Sequence, residues 1–324
     1  MVPTYKGKPQ SNAILSSLMI KFSRSRLLCL ACTGTIVLAL GIHRLASVNM
    51  ERAEAVFVKA PINDIARECP ATGYPVLGDK GKLKICLTTL TDAKAGSAWQ
   101  KMLRWRNFDS LLDMTWPNKQ TYVEKHGYHL YDESQSLDRN RPPSWSKIRA
   151  AQRLLKEERC DWVFWLDADT VVMNSSKRVE DFLPSEEGKD LIITSQKGGS
   201  YNAGAWLIKN TPWSLEFLDH WWNMKDFVKP MGMAVSGDND ALKAYLLGME
   251  KEYFDAHIVV PPRCTFNSVA KFLSPAEVAQ YEGDIKEAPF YKDLQSYHKG
   301  DFIAHIAGKN NKIDTTAMIL KDAI

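Results

Sequence analysis

Apolar residues in this chain fall into two kinds of pattern: short continuous runs, and longer stretches where they recur every three to four positions. Residues 163–166 (Val-Phe-Trp-Leu) are a run too short for a typical helix and rich in β-branched and aromatic side chains, which predicts a buried strand. Residues 84–90, 191–195, 205–208, 258–260 and 302–304 predict further strands by the same signs. Helical spacing covers 99–114, then 121–126 before a stop at Gly127, and 145–156, which is amphipathic. A Trp-rich helix is expected after Thr211, with Pro212 in its first turn, and another over 241–247. Strands alternating with helices imply an α/β fold whose mainly parallel sheet is covered on both faces. No internal repeat or low-complexity tract interrupts the pattern.

The first part of the chain follows a different pattern. Residues 1–26 carry Lys6, Lys8, Lys21, Arg24 and Arg26 and no acid. Residues 27–42 are uncharged and mostly apolar, and His43 and Arg44 close them. The run is slightly short for a span of about 17–25 residues, a shortfall that a thin bilayer and snorkelling arginines can offset. Basic residues on its N-terminal side predict a cytosolic tail (1–26), a transmembrane signal anchor (27–43) and a lumenal remainder: a single-pass type II arrangement. A cleaved signal peptide is the alternative, with Ala39, Gly41 and Ala46 as small residues for cleavage. Residues 44–80, punctuated by Pro61, Pro70, Gly73, Pro75 and Gly78, read as a stem, and 81–324 as the single folded domain.

Composition changes little in this picture. The 324 residues are 45% hydrophobic and 25% charged, as in ordinary globular proteins. The net charge of +4 is mild and comes partly from the tail, so it gives no argument for nucleic acid. Of the six cysteines, Cys29 and Cys32 lie in the apolar run. Cys69, Cys86, Cys160 and Cys264 would be lumenal, where disulfides are permitted, and four cysteines allow three pairings. Cys86, inside a strand, could equally be a core residue. Asn174-Ser-Ser176 is a candidate glycosylation sequon.

Candidate chemistry starts at the end of the 163–166 run, at Asp167-Ala168-Asp169. In extended backbone, residues i and i+2 share a face, so both carboxylates would project together from a strand end, where open α/β sheets bind ligands. Paired carboxylates repel unless a cation or proton lies between them, and hard oxygen donors suit Mg²⁺ or Mn²⁺. An acidic turn after a core strand is the bland alternative. Asn202-Ala-Gly204 reads as a turn into a strand, where the glycine could admit a ligand to the backbone. Ser236-Gly-Asp-Asn-Asp240 precedes a helix and could cap it or bind. His305 ends an apolar strand, as a structural residue or as a further metal ligand. Trp206, Trp213, Trp221 and Trp222 fit core positions better than acceptor stacking.

These segments, taken in order, resemble glycosyltransferase family 34, whose galactosyl-, mannosyl- and xylosyltransferases are type II Golgi proteins with a GT-A fold. The resemblance runs over roughly residues 82–309: Tyr122 with His126-Gly127-Tyr128, Trp145-Ser-Lys147, Trp165-Leu-Asp-Ala-Asp169, Asn202-Ala-Gly204, Trp213, Asn239-Asp-Ala-Leu242 and His305-Ile-Ala-Gly308. It differs from the usual pattern at Asn239, where glutamine is common, and at Lys309, where cysteine often follows the glycine.

The resemblance implies a retaining transfer of galactose, mannose or xylose from a nucleotide-diphosphate sugar to a glycan acceptor, with Mn²⁺ (Mg²⁺ as alternative). Asp167, Asp169 and His305 would bind the metal, and Asp238 and Asn239 would be catalytic, beside the anomeric carbon. Tyr122, Lys147, Ala168, Asn202, Gly204, Asp240 and Lys309 would bind the nucleotide sugar. A homo- or hetero-complex with other glycosyltransferases is compatible with it. Two rivals remain: a haloacid-dehalogenase-type phosphatase, with Asp167 as nucleophile and Asp169 as general acid, and a non-catalytic membrane-tethered partner subunit.

Overall fold

The computed structural model describes residues 69, 83–92, 110–184, 188–196, 200–231, 233, 235–270, 296–308 and 312–323. The expected tail and anchor, most of the stem, Lys309 and residues 99–109 of one expected helix lie outside these. Among the described residues no helix is long and apolar enough to cross a membrane.

Among the described residues, nine strands and six α-helices position the site. They are β1 (Ile85–Thr89), α1 (Leu111–His126), β2 (His129–Asp132), α2 (Ser146–Lys156), β3 (Trp162–Leu166), β4 (Thr170–Val172), β5 (Leu191–Gln196) and β6 (Ser200–Lys209). There follow α3 (Pro212–Asn223), α4 (Asp238–Leu247), α5 (Lys251–His257), β7 (Ile258–Val259), β8 (Ser268–Val269), β9 (Ile303–His305) and α6 (Lys312–Leu320). The main sheet has the order β2-β1-β3-β6-β5-β7. Its ladders are parallel except the two made by β6, which runs against β3 and β5. The expected mainly parallel sheet is therefore a mixed one with a single reversed strand at its centre. A smaller sheet, β4-β9-β8, lies beside it.

Alternation along β3 explains why the run reads as continuously apolar. Trp162, Phe164 and Leu166 join one core, with Ile85, Leu87, Tyr122, Leu207, Phe266 and Phe302. Val163 and Trp165 join the other, with Trp145, Ile148, Leu155, Trp206, Trp221 and Leu242. A strand buried on both faces loses the polar alternation of a half-exposed one.

Three local expectations change. Residues 111–114, the end of one expected helix, and 121–126, the other, lie in one helix, α1, which passes through Pro117. Pro117 is on the exposed side, where the Asp113 carbonyl deprived of its partner can be solvated. Residues 202–204 are not a turn before a strand: they lie inside β6, which pairs with β5 as far as Gln196↔Ser200. Cys86 is not a free core thiol but is bonded to Cys160, and Cys69 is bonded to Cys264, which ties one residue of the expected stem to the domain.

Candidate metal centre and donor site

The Asp167-Ala168-Asp169 segment is a turn rather than a strand end. The Thr170 amide and hydroxyl both donate to the Asp167 carbonyl, at 3.0 and 2.7 Å. The expected convergence of the two carboxylates holds, but a turn produces it. Each backbone acceptor of the turn is tied down. The Ala168 carbonyl accepts from Thr115 Oγ1 (2.8 Å), the Asp169 carbonyl from the Ile306 amide (3.0 Å) and the Thr170 carbonyl from Lys119 Nζ (2.6 Å). Lys119 is wholly buried. Burial pulls its ammonium down to about 7, against the opposing pull of Asp169 and Asp167.

Thr170 pairs with His305 across the β4–β9 ladder, which sets the imidazole beside the turn. Asp167, Asp169 and His305 each offer a ligand atom, and these atoms lie within 4.8 Å of one another. His305 Nε2 stands 3.4 Å from Asp169 Oδ1, while its Nδ1 is 2.8 Å from Asn267 Oδ1. The ring packs directly on Gly204. A Cβ at that position would lie 2.1 Å from His305 Cε1. The missing side chain at Gly204 thus makes room for the His305 ring. Lys312 Nζ, from the first residue of α6, contacts Asp169 Oδ2 and donates to the Ile306 carbonyl at 2.6 Å. Burial would raise the Asp169 carboxyl, but the Lys312 ammonium beside Oδ2 opposes it and the group is held far below the usual carboxylate range.

Lys147, buried on α2, joins this centre to the Ser236–Asp240 segment. Its ammonium reaches Asp167 Oδ1 at 3.0 Å, Asp238 Oδ2 at 3.3 Å and the Ala203 carbonyl at 3.1 Å, one partner for each of its donors. Burial opposes its charge, yet the two carboxylates hold it above its ordinary range. Trp165 Nε1 also donates to Asp167 Oδ1, at 2.7 Å. Asp238 is buried as well. Burial would raise its carboxyl, and Lys147 with the Ser236 and Ser144 hydroxyls brings it below the ordinary value.

Neither Asp238 nor Asn239 caps α4. The N-cap is Gly237, at φ 90°, where a Cβ would stand 1.8 Å from the Phe227 carbonyl oxygen. Freed from capping, Asp238 turns to Lys147, and Asn239 Oδ1 accepts the Ala203 amide at 2.7 Å, which fastens α4 to β6.

The other sequence candidates are placed as follows. Asn202 is near the centre, its Oδ1 accepting from the Gly204 amide (2.9 Å) and Asn267 Nδ2 (3.2 Å). Ala168 is buried against Leu111 and Leu112. Tyr122 is not brought to the centre: its ring is in the core and its hydroxyl donates to the Lys177 carbonyl at 3.0 Å. Asp240 is exposed and pairs with Lys243 at 3.7 Å. Asn174 Oδ1 accepts from the Ser176 amide and hydroxyl. Trp206 and Trp221 are core residues, as expected, while Trp213 stacks on His257 and Trp222 lies against Arg141 and Arg149. Lys312 and Asn267 were not legible: one sits on a helix outside the resemblance, the other is a single amide between short strands.

A family model described as "galactosyl transferase GMA12/MNN10 family" matches residues 84–189 and 184–315. The chain is 26% identical over 243 residues to "Probable alpha-1,6-mannosyltransferase MNN10" of Saccharomyces cerevisiae, covering 64% of this chain and 58% of that protein's length. It is 34% identical over 128 residues to "Probable glycosyltransferase 6" of Oryza sativa subsp. indica, covering 36% of this chain and 26% of the rice protein. Among solved structures, a glycosyltransferase involved in the glycosylation of the major capsid of PBCV-1 is similar at 16% identity and a TM-score of 0.47, over 74% of this chain and 99% of that one.

Proposed function

The chain belongs to the galactosyl transferase GMA12/MNN10 family, glycosyltransferase family 34, and on that premise we propose that it is a metal-dependent retaining glycosyltransferase. Its donor is a nucleotide-diphosphate sugar carrying galactose, mannose or xylose, and its acceptor is a glycan. The observation that carries this is the convergence of Asp167, Asp169 and His305 beside a buried, ionised Asp238, with Lys147 bridging the two.

The donor set fits a divalent cation. Two carboxylates and one imidazole suit Mn²⁺, with Mg²⁺ as the alternative. Lys147 and Trp165 both engage Asp167 Oδ1, which leaves Oδ2 for the ion. Such an ion, held by Asp167, Asp169 and His305, supplies a Lewis acid for the departing diphosphate. Lys312, at the same carboxylate, adds a second positive charge where negative charge grows. Asp238 is assigned beside the anomeric carbon. With Lys147 on one oxygen and the Ser144 and Ser236 hydroxyls on the other favouring its charged form, its carboxylate is suited to stabilising an oxocarbenium-like state. Asn239 holds the segment against β6, and the sugar pocket is assigned to the Asn202–Gly204 side of that strand.

The fold type assigned with this activity is GT-A, in a Golgi enzyme anchored by residues 27–43 with its domain in the lumen. Two disulfides suit that oxidising compartment. The phosphatase alternative needs Asp169 as a proton donor, and the Lys312 ammonium beside it favours the ionised carboxylate. The test is to supply the full chain in detergent with Mn²⁺ and a panel of nucleotide sugars, and to follow nucleotide diphosphate release with and without sugar acceptors. Release from one donor, lost in Asp169→Ala, is expected. Full activity of that variant in chelator would sink the metal role, and release from no donor would sink the transferase.

A further inference from the structure

We infer that Asn267 is a positioning residue that fixes the hydrogen of His305 on Nδ1 and thereby reserves Nε2 for the metal. The inference rests on the metal centre proposed above and adds to it a residue that acts through the ligand rather than on the ion.

The Gly204 backbone amide is a donor of certain identity. It donates to the side chain of Asn202 at 2.9 Å, so the atom it meets is the carbonyl oxygen, Oδ1. That oxygen can only accept, so the atom of Asn267 that faces it at 3.2 Å is the amide nitrogen, Nδ2. The Thr194 hydroxyl receives the same nitrogen at 3.1 Å, which completes its two donors. Asn267 must then present Oδ1 to the remaining partner, His305 Nδ1, at 2.8 Å. An oxygen acceptor there requires a hydrogen on Nδ1. The tautomer of a histidine is set by the bond its second nitrogen makes, and here it follows from a backbone amide through two asparagines.

The consequence falls on Nε2. With the hydrogen on Nδ1, the neutral ring turns a lone pair toward Asp169 Oδ1, 3.4 Å away. Two acceptors at that separation repel unless a cation lies between them. A histidine that ligates a metal characteristically donates its other N–H to an oxygen, and loss of that oxygen costs about ten- to a hundredfold in metal affinity. Asn267 and Thr194 are fully buried, so water does not replace either partner.

The experiment uses the full chain and two readouts. Mn²⁺ affinity without nucleotide sugar is measured by electron paramagnetic resonance for the wild type, Asn267→Leu, Asn267→Asp and His305→Ala, with thermal melting to show which variants fold. Leucine cannot accept a hydrogen bond, whereas aspartate can. The expected result is a Kd for Asn267→Leu about tenfold or more above wild type, with loss of the nitrogen modulation that a bound imidazole gives in the electron spin echo. Asn267→Asp should retain that modulation. The second readout needs no variant: nitrogen-15 histidine spectra of the metal-free wild type should show the His305 hydrogen on Nδ1. A neutral ring with its hydrogen on Nε2 would overturn the inference, whether or not Asn267→Leu folds. A folded Asn267→Leu with wild-type affinity and modulation would overturn it too. Wild type that binds no Mn²⁺, or that binds it equally well as His305→Ala, would instead overturn the metal centre itself and the inference with it.

Discussion

The imidazole of His305 occupies the space that a side chain on Gly204 would need, with Cε1 2.1 Å from the nearest Cβ position. Strand β6 and strand β9 belong to different sheets, and this contact is where the two come together at the centre. Gly204→Ala should therefore push the ring off its position while leaving both sheets formed. Mn²⁺ affinity, read by titration, should fall about tenfold or more, with a small change in melting temperature. Wild-type affinity in a folded Gly204→Ala chain would mean that His305 is not a ligand.

Lys147 and Asp238 form a buried pair whose members both lose water on folding. Lys147→Met leaves two carboxylates without their cation and should cost about 3–5 kcal/mol in stability, as breaking one side of a buried pair does. Lys147→Met with Asp238→Asn should recover part of that loss, because the more deeply buried of the two uncompensated charges is gone. Denaturant melts of the single and double variants give the coupling directly.

The same pair carries a pH dependence of defined sign. Asp238 titrates below its ordinary range in the folded chain, so it binds its proton more weakly there than in the unfolded chain. Its contribution is present above about pH 4, the unfolded value, and is lost as the pH falls through the lower, folded one. Asp238→Asn should flatten the acid limb of stability against pH. An unchanged limb would place the acid sensitivity elsewhere.

Lys312 is paired with Asp169, so in the proposed site it would compete with a metal ion for that carboxylate and add charge for a leaving diphosphate. These roles pull apart in Lys312→Gln. Mn²⁺ alone should bind more tightly than to the wild type, because a rival cation is removed, while turnover with donor sugar should fall. Weaker Mn²⁺ binding would show that Lys312 supports the site's shape rather than sharing its ligand.

Strands β1, β3, β5, β7 and β9 and the acidic motif were legible because burial leaves continuous apolar runs such as that of β3, and an Asp-Ala-Asp at the end of such a run is conspicuous, whereas the short strands β2, β4 and β8 were not. The turn at Asp167–Asp169 was not legible. Its stability comes from Thr115, Lys119 and the Ile306 amide, which lie in segments remote in sequence. Nor was the length of β6, because the polar residues 200–202 lack the apolar signal that marks 205–208. Asn267 and Lys312 are single buried polar residues with no periodicity to announce them. The absence of capping by Asp238 depends on Gly237 and the Phe227 carbonyl, a backbone contact that no sequence pattern records.

The bond between Cys69 and Cys264 joins residues 195 apart in sequence, whereas Cys86 and Cys160 are 74 apart. A ribosome adding about 5–20 residues per second delivers the second partner of the longer bridge roughly 10–40 s after the first. During that interval Cys69 is a thiol in waiting, with Cys86 and then Cys160 as nearer wrong partners. In an oxidising compartment, early closure of the Cys86–Cys160 bridge would remove both, and the shorter bond would then act as a chaperone for the longer one. Nascent chains that lack Cys160 should accumulate mixed disulfides through Cys69, visible as extra bands on non-reducing gels. A clean single band from such chains would show that Cys69 is kept from Cys86 by some other means.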